Sequence, residues 1–374
     1  MKITFAMWGT ERTGGTNAIF QVVDRLALYG HEVTVVAMGP RYDGWFDFKS
    51  NINFVFPEAG KFSTLKYRKK RFTLSQLIQY LFRKFGRGLE ISRTGILSSA
   101  LPADSEFLIA TYFETAFAVQ MSQNLSANRI YYIQHFESVF FQEHFSKQRV
   151  KQTYFFPFSW IVSSTWANER LREETGRSGK VIIPGIDRNT FYPRVNDKRN
   201  SKFVVVALGK GAKVKGLAYL LDALSMAKMV IPDITLHLYG VEPELKRLSP
   251  VETIYHFAPN NERLAEIYSS ANAVVTPSLY ESSPSPPLEA MACGAPVITT
   301  QFGTEDYCKD HFNSLVVPPE NAQSISEALI EIYRDQDLKN RLIENGLKTV
   351  NDTTWDNTAK AFEKVLLKIK NNTS

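Results

Sequence analysis

The chain has 374 residues, 44% hydrophobic and 22% charged, which is too long for one small core and too apolar for a disordered protein, so two domains are expected. Its net charge of +6 points to anionic partners; much of the excess lies in Lys66, Arg68, Lys69, Lys70, Arg71, Arg83, Lys84 and Arg87, against Glu90 alone in the same stretch. The two cysteines, Cys293 and Cys308, show no metal-ligand spacing, so a reducing, cytoplasmic setting without a disulfide framework is expected, and no stretch has the length of a membrane span.

The first half opens with the strand-like "KITFAMWG", the loop "GTERTGGTN" and the helical run "AIFQVVDRLALYG", followed by the strand "HEVTVVAMG". This is a β-α-β unit. Gly9, Gly14 and Gly15 do not fit G-x-G-x-x-G and no P-loop lysine follows. "TGGTN" suits a phosphate before a helix N-terminus, although glycine turns there are also ordinary punctuation. Residues 74–85, "LSQLIQYLFRKF", place Leu74, Leu77, Ile78, Leu81, Phe82 and Phe85 on one helical stripe between basic clusters. That pattern fits either a helix packed on the first domain or one lying in an anionic membrane interface, with residues 61–93 as the contact. "FLIATYF", "RIYYIQHF", "WIVSSTW" with the helix "ANERLREET", and "KVIIPG" continue a doubly wound parallel sheet.

Proline, charge and polarity over residues 184–202 mark a linker, giving domains at 1–186 and 187–354 with the helix of 355–374 returning to the first. "KFVVVALG" restarts the alternation. The loop "GKGAKVKG" clusters Lys210, Lys213 and Lys215 beside glycines just past a strand end, either as a solvated basic loop or as the counter-charge to a pyrophosphate. Further on, the strand "ANAVVTPS" leads into "ESSPSPPLEAMACGAPVI", residues 281–298. Proline is tolerated only in a helix's first turn, so the helix is expected to start near Pro287. Glu281 then lies in the loop past the strand, and Glu289 in the first helical turn, where a carboxylate is also favoured by the helix dipole alone. Cations and carboxylates leaving one sheet edge describe a nucleotide-sugar site.

These residues carry a resemblance to a family. "ESSPSPPLEAMACGAPVI" resembles the E-x7-E signature of the family-4 retaining glycosyltransferases, "LGKGAKVKG" their diphosphate loop, and "IIPGIDRNTFYP" and "FGTEDYCKDHFNSLVVPPENAQSISEAL" their junction and downstream segment. The resemblance implies the GT-B fold: two Rossmann-like α/β domains facing each other across a cleft. It implies transfer of a sugar from a UDP-, GDP- or dTDP-sugar to a saccharide acceptor, including a lipid-linked one of cell-surface assembly. The alternatives are an epimerase or a non-catalytic nucleotide-sugar binder on the same scaffold. By resemblance Glu281 contacts the donor sugar, Glu289 the ribose, Lys215 and Lys210 the diphosphate, and Phe257 in "YHFAP" lies near the base. Gly15 and Ser285 join the donor contacts, and His135 contacts the sugar from the first domain. Lys210 stands where the family has arginine, and Ser282, Ser283, Pro284 and Ser285 replace a glycine-bearing turn. No D-x-D pair lies in the loops past the strand ends, that of Asp335 and Asp337 falling well after them, so no metal is expected; neither a cofactor nor a nucleic-acid partner is expected.

Overall fold

Short β-branched runs alternating with amphipathic stretches build two separate open α/β sheets. The computed structural model describes residues 1–39, 41–57, 64–67, 70–73, 88–141, 143–194 and 202–373. The expected amphipathic helix at 74–85, and the side chains of the basic clusters flanking it, lie outside the described residues. Among those described, no helix is long and apolar enough to cross a membrane. The chain divides into a first unit of Met1–Ser163, Asn168–Ile182 and Ala359–Ser374, and a second of Ser164–Ala167 and Ile183–Thr358.

In the first unit, β1 (Lys2–Met7), α1 (Gly14–Leu28), β2 (Glu32–Ala37) and β3 (Asn53–Val55) are followed by a two-stranded antiparallel hairpin of β4 (Thr64–Tyr67) and β5 (Lys70–Thr73). Then come α2 (Gly88–Ser99), β6 (Phe107–Ala110), α3 (Phe113–Gln120), β7 (Asn128–Ile133), α4 (His144–Thr153), β8 (Ser159–Val162), α5 (Thr165–Thr175), which belongs to this unit from Asn168, and β9 (Lys180–Val181). The main sheet runs β3-β2-β1-β6-β7-β8-β9, all parallel. Thr13 caps α1 by accepting from the Thr16 N–H at 3.1 Å. One face of α1 buries Ile19, Phe20, Val23 and Leu26 against the strands, as a parallel sheet covered on both faces requires. Phe20 is ringed by Tyr42, Trp45, Phe46, Phe48 and Phe54 from the segment after β2. The same core takes in Phe362 and Leu366 from the end of the chain, Phe362 lying 6.0 Å from the Phe5 ring and 5.4 Å from that of Tyr132.

Glu137, two residues after His135, is buried at 4% exposure. It accepts the Phe113 N–H at 3.0 Å, at the start of α3, and the Tyr131 hydroxyl at 2.9 Å. Burial pushes its carboxyl up to about 8, the two hydrogen bonds opposing the shift. Because the folded value is raised, the unfolded chain loses this proton first as pH rises, and stability falls between the ordinary carboxylate range and pH 8. Glu137→Gln, which cannot ionise, is therefore expected to gain melting temperature relative to wild type by a few degrees between pH 5 and pH 8. A difference that stays constant across that range would show that Glu137 does not carry the proton.

The second unit contains β10 (Phe203–Leu208), α6 (Leu217–Ala227), β11 (Ile234–Gly240), β12 (Glu252–Phe257), α7 (Asn261–Ser269), β13 (Ala273–Thr276), α8 (Ser285–Ala292), β14 (Val297–Thr300) and β15 (Leu315–Val317). Helices α9 (Ala322–Arg334), α10 (Gln336–Asp352) and α11 (Trp355–Thr373) close the chain, α11 beginning in the second unit and contributing to the first from Ala359. Strand order is β12-β11-β10-β13-β14-β15, all parallel. One face packs Val205, Leu236 and Leu238 under α6 and α9; the other packs Val204, Val206, Tyr239 and Val274 under α7 and α8. Gly346 on α10 meets Met291 of α8 so closely that a Cβ there would lie 3.1 Å from its side chain.

Candidate active site

In the second unit β10 is flanked by β11 on one side and β13 on the other. The loops after β10 (209–216) and after β13 (277–284) therefore leave the same carboxyl edge side by side, at the point where the winding reverses. Open α/β sheets bind ligands there. The two loops are laced together. Gly216 has φ +68° and lies so near Pro277 that a Cβ would come within 1.9 Å of its carbonyl oxygen, and the Leu279 N–H donates to the Val214 oxygen at 2.8 Å. As a result Lys215 Nζ bonds Glu281 Oε1 at 2.5 Å, with only 25% and 16% of the two side chains exposed. Ser278 Oγ donates to the same oxygen at 2.9 Å, and Thr300 Oγ1 holds the Ser278 carbonyl at 2.5 Å. Gly216→Ala should lose at least about 2 kcal/mol, since a left-handed conformation is unfavourable for alanine and the clash adds to it. Urea unfolding checks this, and a loss below about 0.5 kcal/mol would mean the loops part freely.

Helix α8 starts at Ser285, two residues before the expected Pro287, with Pro284 as its N-cap. Proline is compatible with every position of a first turn, so Pro286 and Pro287 occupy its second and third positions instead of opening it. Of the four N–H groups that such an end normally leaves free, only that of Ser285 remains. Charge arriving at this helix end would meet the dipole but few donors. Glu289 lies one turn in, half-buried. Its Oε2 accepts from Tyr268 OH at 3.3 Å, and Tyr268 OH is 2.8 Å from Tyr239 OH. Burial raises the Glu289 carboxyl, while hydrogen bonds from Ser285 and Tyr268 oppose the shift.

Lys210 is exposed on the first loop. The neighbouring Gly211 N–H, which sequence would offer to a phosphate, donates to Glu242 Oε2 at 2.8 Å. Tyr255 of β12 fixes this arrangement, accepting the Glu242 N–H at 2.8 Å and donating to the Gly209 carbonyl at 3.4 Å. Phe257 ends β12 at 65% exposure, available to stack on a flat ring. Ser285 is exposed at the helix start. Gly15 and His135 belong to the first unit. There the Gln134 side-chain amide donates to the Gly15 carbonyl at 3.0 Å, and a Cβ on Gly15 would lie 2.7 Å from Gln134 Oε1. His135 follows β7, its ring edge-on to Phe140 at 5.4 Å. The structure thus joins Lys215 to Glu281 and sets Glu289 in the helix beyond. Sequence reasoning missed Ser278, Tyr239, Tyr268 and Glu242. Of these, only Ser278, three residues before Glu281, had a local signal.

Residues 189–349, a little under half of the chain, match the family model described as glycosyl transferases group 1. An uncharacterised glycosyltransferase of Methanocaldococcus jannaschii is 30% identical over 203 residues, 48% of this chain and 52% of that protein. The chain spans about half the length of curated relatives it matches. Among solved structures, sucrose-phosphate synthase from Thermosynechococcus elongatus superposes with a TM-score of 0.76 at 20% identity, covering 99% of this chain and all of that one. HepE from Anabaena, in complex with UDP-glucose, superposes with a TM-score of 0.75 at 15% identity, covering 98% of this chain and all of that one. The fold is therefore that of the GT-B glycosyltransferases, and the segment that matches the group 1 model lies in the second unit.

Proposed function

We propose that the protein is a retaining glycosyltransferase that moves a sugar from a nucleoside-diphosphate sugar, with UDP, GDP or dTDP as the nucleotide, to a saccharide acceptor. The reading rests above all on one observation: Lys215 and Glu281, a cation and a carboxylate, meet where two loops leave the switch point of the sheet. A phosphate needs the first and a sugar hydroxyl the second. The relative with UDP-glucose bound and the group 1 match support the same choice of donor class.

In the proposed reaction the bond from the anomeric carbon to the diphosphate oxygen breaks as the acceptor oxygen bonds that carbon on the same face. The acceptor's proton passes to the departing diphosphate oxygen, so no protein nucleophile is consumed. Lys215, with Lys210, stabilises the charge gathering on that leaving group. Because the proline turn leaves a single N–H at the start of α8, the lysines carry more of this task. Glu281 orients the sugar, Ser285 adds a hydroxyl at the donor, Glu289 holds the ribose diol, and Phe257 stacks on the base. Gly15 and His135 are proposed contributors from the first unit.

The test is a thermal-shift panel of UDP-, GDP- and dTDP-sugars on the full chain, followed by product analysis with and without saccharide acceptors. A true donor raises the melting temperature in step with its affinity. Transfer should need an acceptor and should persist with EDTA. Conversion of the nucleotide sugar without acceptor would make the protein an epimerase, and loss of transfer in EDTA, restored by Mg²⁺, would overturn the metal-independent mechanism.

A further inference from the structure

We infer that Tyr268 and Tyr239 are positioning residues that hold the Glu289 carboxylate in one rotamer, with Oε2 tied inward and Oε1 left for the nucleotide's ribose diol. This rests on the nucleotide-sugar reading above and adds to it a pair of residues and a discrimination between sugars of the nucleotide.

The three groups come from three elements. Tyr239 stands near the end of β11, Tyr268 near the end of α7, and Glu289 in α8, so each is fixed by a different backbone. Tyr268 is fully buried and Tyr239 nearly so, at 7% exposure. The tyrosine rings pack edge to face with centroids 5.8 Å apart, and Phe191 lies 6.4 Å from Tyr268 on another side. Neither phenol can swing away without opening that core. A buried hydroxyl needs a partner, and the route here is directional: Tyr239 OH to Tyr268 OH at 2.8 Å, then Tyr268 OH to Glu289 Oε2 at 3.3 Å. For Tyr268 to donate to the carboxylate, its own oxygen accepts from Tyr239. The second phenol thereby strengthens the first as a donor.

The two carboxylate oxygens consequently differ. Oε2 faces the apolar core and its phenols. Oε1 keeps acceptor capacity for a pair of vicinal hydroxyls, which would join or displace the Ser285 side chain that also bonds this carboxylate; the diol is the feature that distinguishes a ribonucleotide from a dideoxynucleotide. The other ionisable groups near Glu289 are Cys293, one turn along α8, and beyond it Arg194, which acts on the thiol. Burial raises the carboxyl and the Tyr268 donor opposes that rise. Without this donor the carboxylate takes up its proton at higher pH, and a protonated carboxyl is a poorer acceptor for the diol.

The experiment measures Kd of the full chain for UDP, GDP and dTDP by calorimetry, dTDP lacking the 2′-hydroxyl and with it the diol, then for the 2′,3′-dideoxy form of whichever of UDP and GDP binds, in wild type, Tyr268→Phe and Tyr239→Phe. Tyr268→Phe is expected to weaken ribonucleotide binding about threefold to tenfold, the range for one ordinary hydrogen bond, because the lost bond acts on the nucleotide only through the carboxylate it positions. It should leave the dideoxy compound unchanged and move the acid-side loss of affinity to higher pH. Tyr239→Phe should do the same more weakly, and it keeps the test open if Tyr268→Phe folds poorly. Equal losses for both compounds would reduce the tyrosines to packing, and unchanged ribonucleotide affinity with an unchanged pH profile would overturn the relay. If wild type binds none of the three nucleotides, the nucleotide reading itself falls, and the relay's role with it; binding of dTDP alone would leave that reading standing and overturn the diol contact.

Discussion

Glu281→Gln is expected to abolish sugar transfer, by at least 10²- to 10³-fold in kcat as for other groups aimed at the reacting centre, while leaving nucleoside-diphosphate affinity intact or raising it. The second half of that expectation comes from the ion pair. Without donor, Lys215 Nζ is committed to Glu281 Oε1 at 2.5 Å in a site with little exposure, so an incoming diphosphate competes with a carboxylate for the same cation. Glutamine keeps the shape and the Ser278 hydrogen bond but gives up the charge, and a gain of roughly threefold to tenfold for UDP, GDP or dTDP is reasonable for freeing a partly buried partner. Turnover within a few fold of wild type would take Glu281 out of the mechanism. A tenfold loss of nucleotide affinity would mean that the ion pair shapes the site instead of blocking it.

Lys215→Ala should act in the opposite sense on the two constants. Negative charge on the leaving diphosphate grows from ground state to transition state, so a cation placed against it is worth most at the top of the barrier. The kcat is expected to fall about 10²- to 10³-fold, with a much smaller rise in KM for the donor. The substitution also leaves Glu281 with Ser278 alone among its two described partners, at a stability loss of about 1 to 3 kcal/mol. A normal kcat with raised KM would assign the lysine to uniform binding. Lys210, exposed and next to a glycine whose N–H is taken by Glu242, should cost less when removed.

The alternation of β-branched runs with amphipathic stretches made most strands and the Rossmann-like architecture readable, because a parallel sheet buried on both faces needs continuous apolar strands. The elements not foreseen have physical reasons. In α10 the buried positions Leu338, Leu342, Gly346 and Val350 form a stripe one residue wide, broken by a glycine whose value lies in its contact with Met291. In α3, "FETAFAVQ", Phe113, Glu114, Thr115, Ala116, Ala118 and Val119 are all buried, so no polar face marks the helical period. The site divides in the same way. The positions of Glu281, Glu289 and Lys215 past strand ends and in the helix after the prolines were readable, and these positions make them candidates. Tyr268 lies 21 residues from Glu289, and nothing local in "LAEIYSSA" announces that its hydroxyl reaches a carboxylate on another helix.

The terminal helix has a further consequence, which concerns the order of events during synthesis. Phe362 and Leu366 are completely buried in the core formed with Phe5 and Phe20. The first unit's sheet emerges from the ribosome early, yet it cannot close that core until Phe362 and Leu366 have been made. The second unit, nearly all of it contiguous from Ile183 to Thr358, has no such wait. A chain that ordinarily would fold from its N-terminus is therefore expected to complete its C-terminal sheet first and to hold the earlier one open. Nascent chains stalled before Phe362 should accordingly show a protease-resistant second unit beside a sensitive first one.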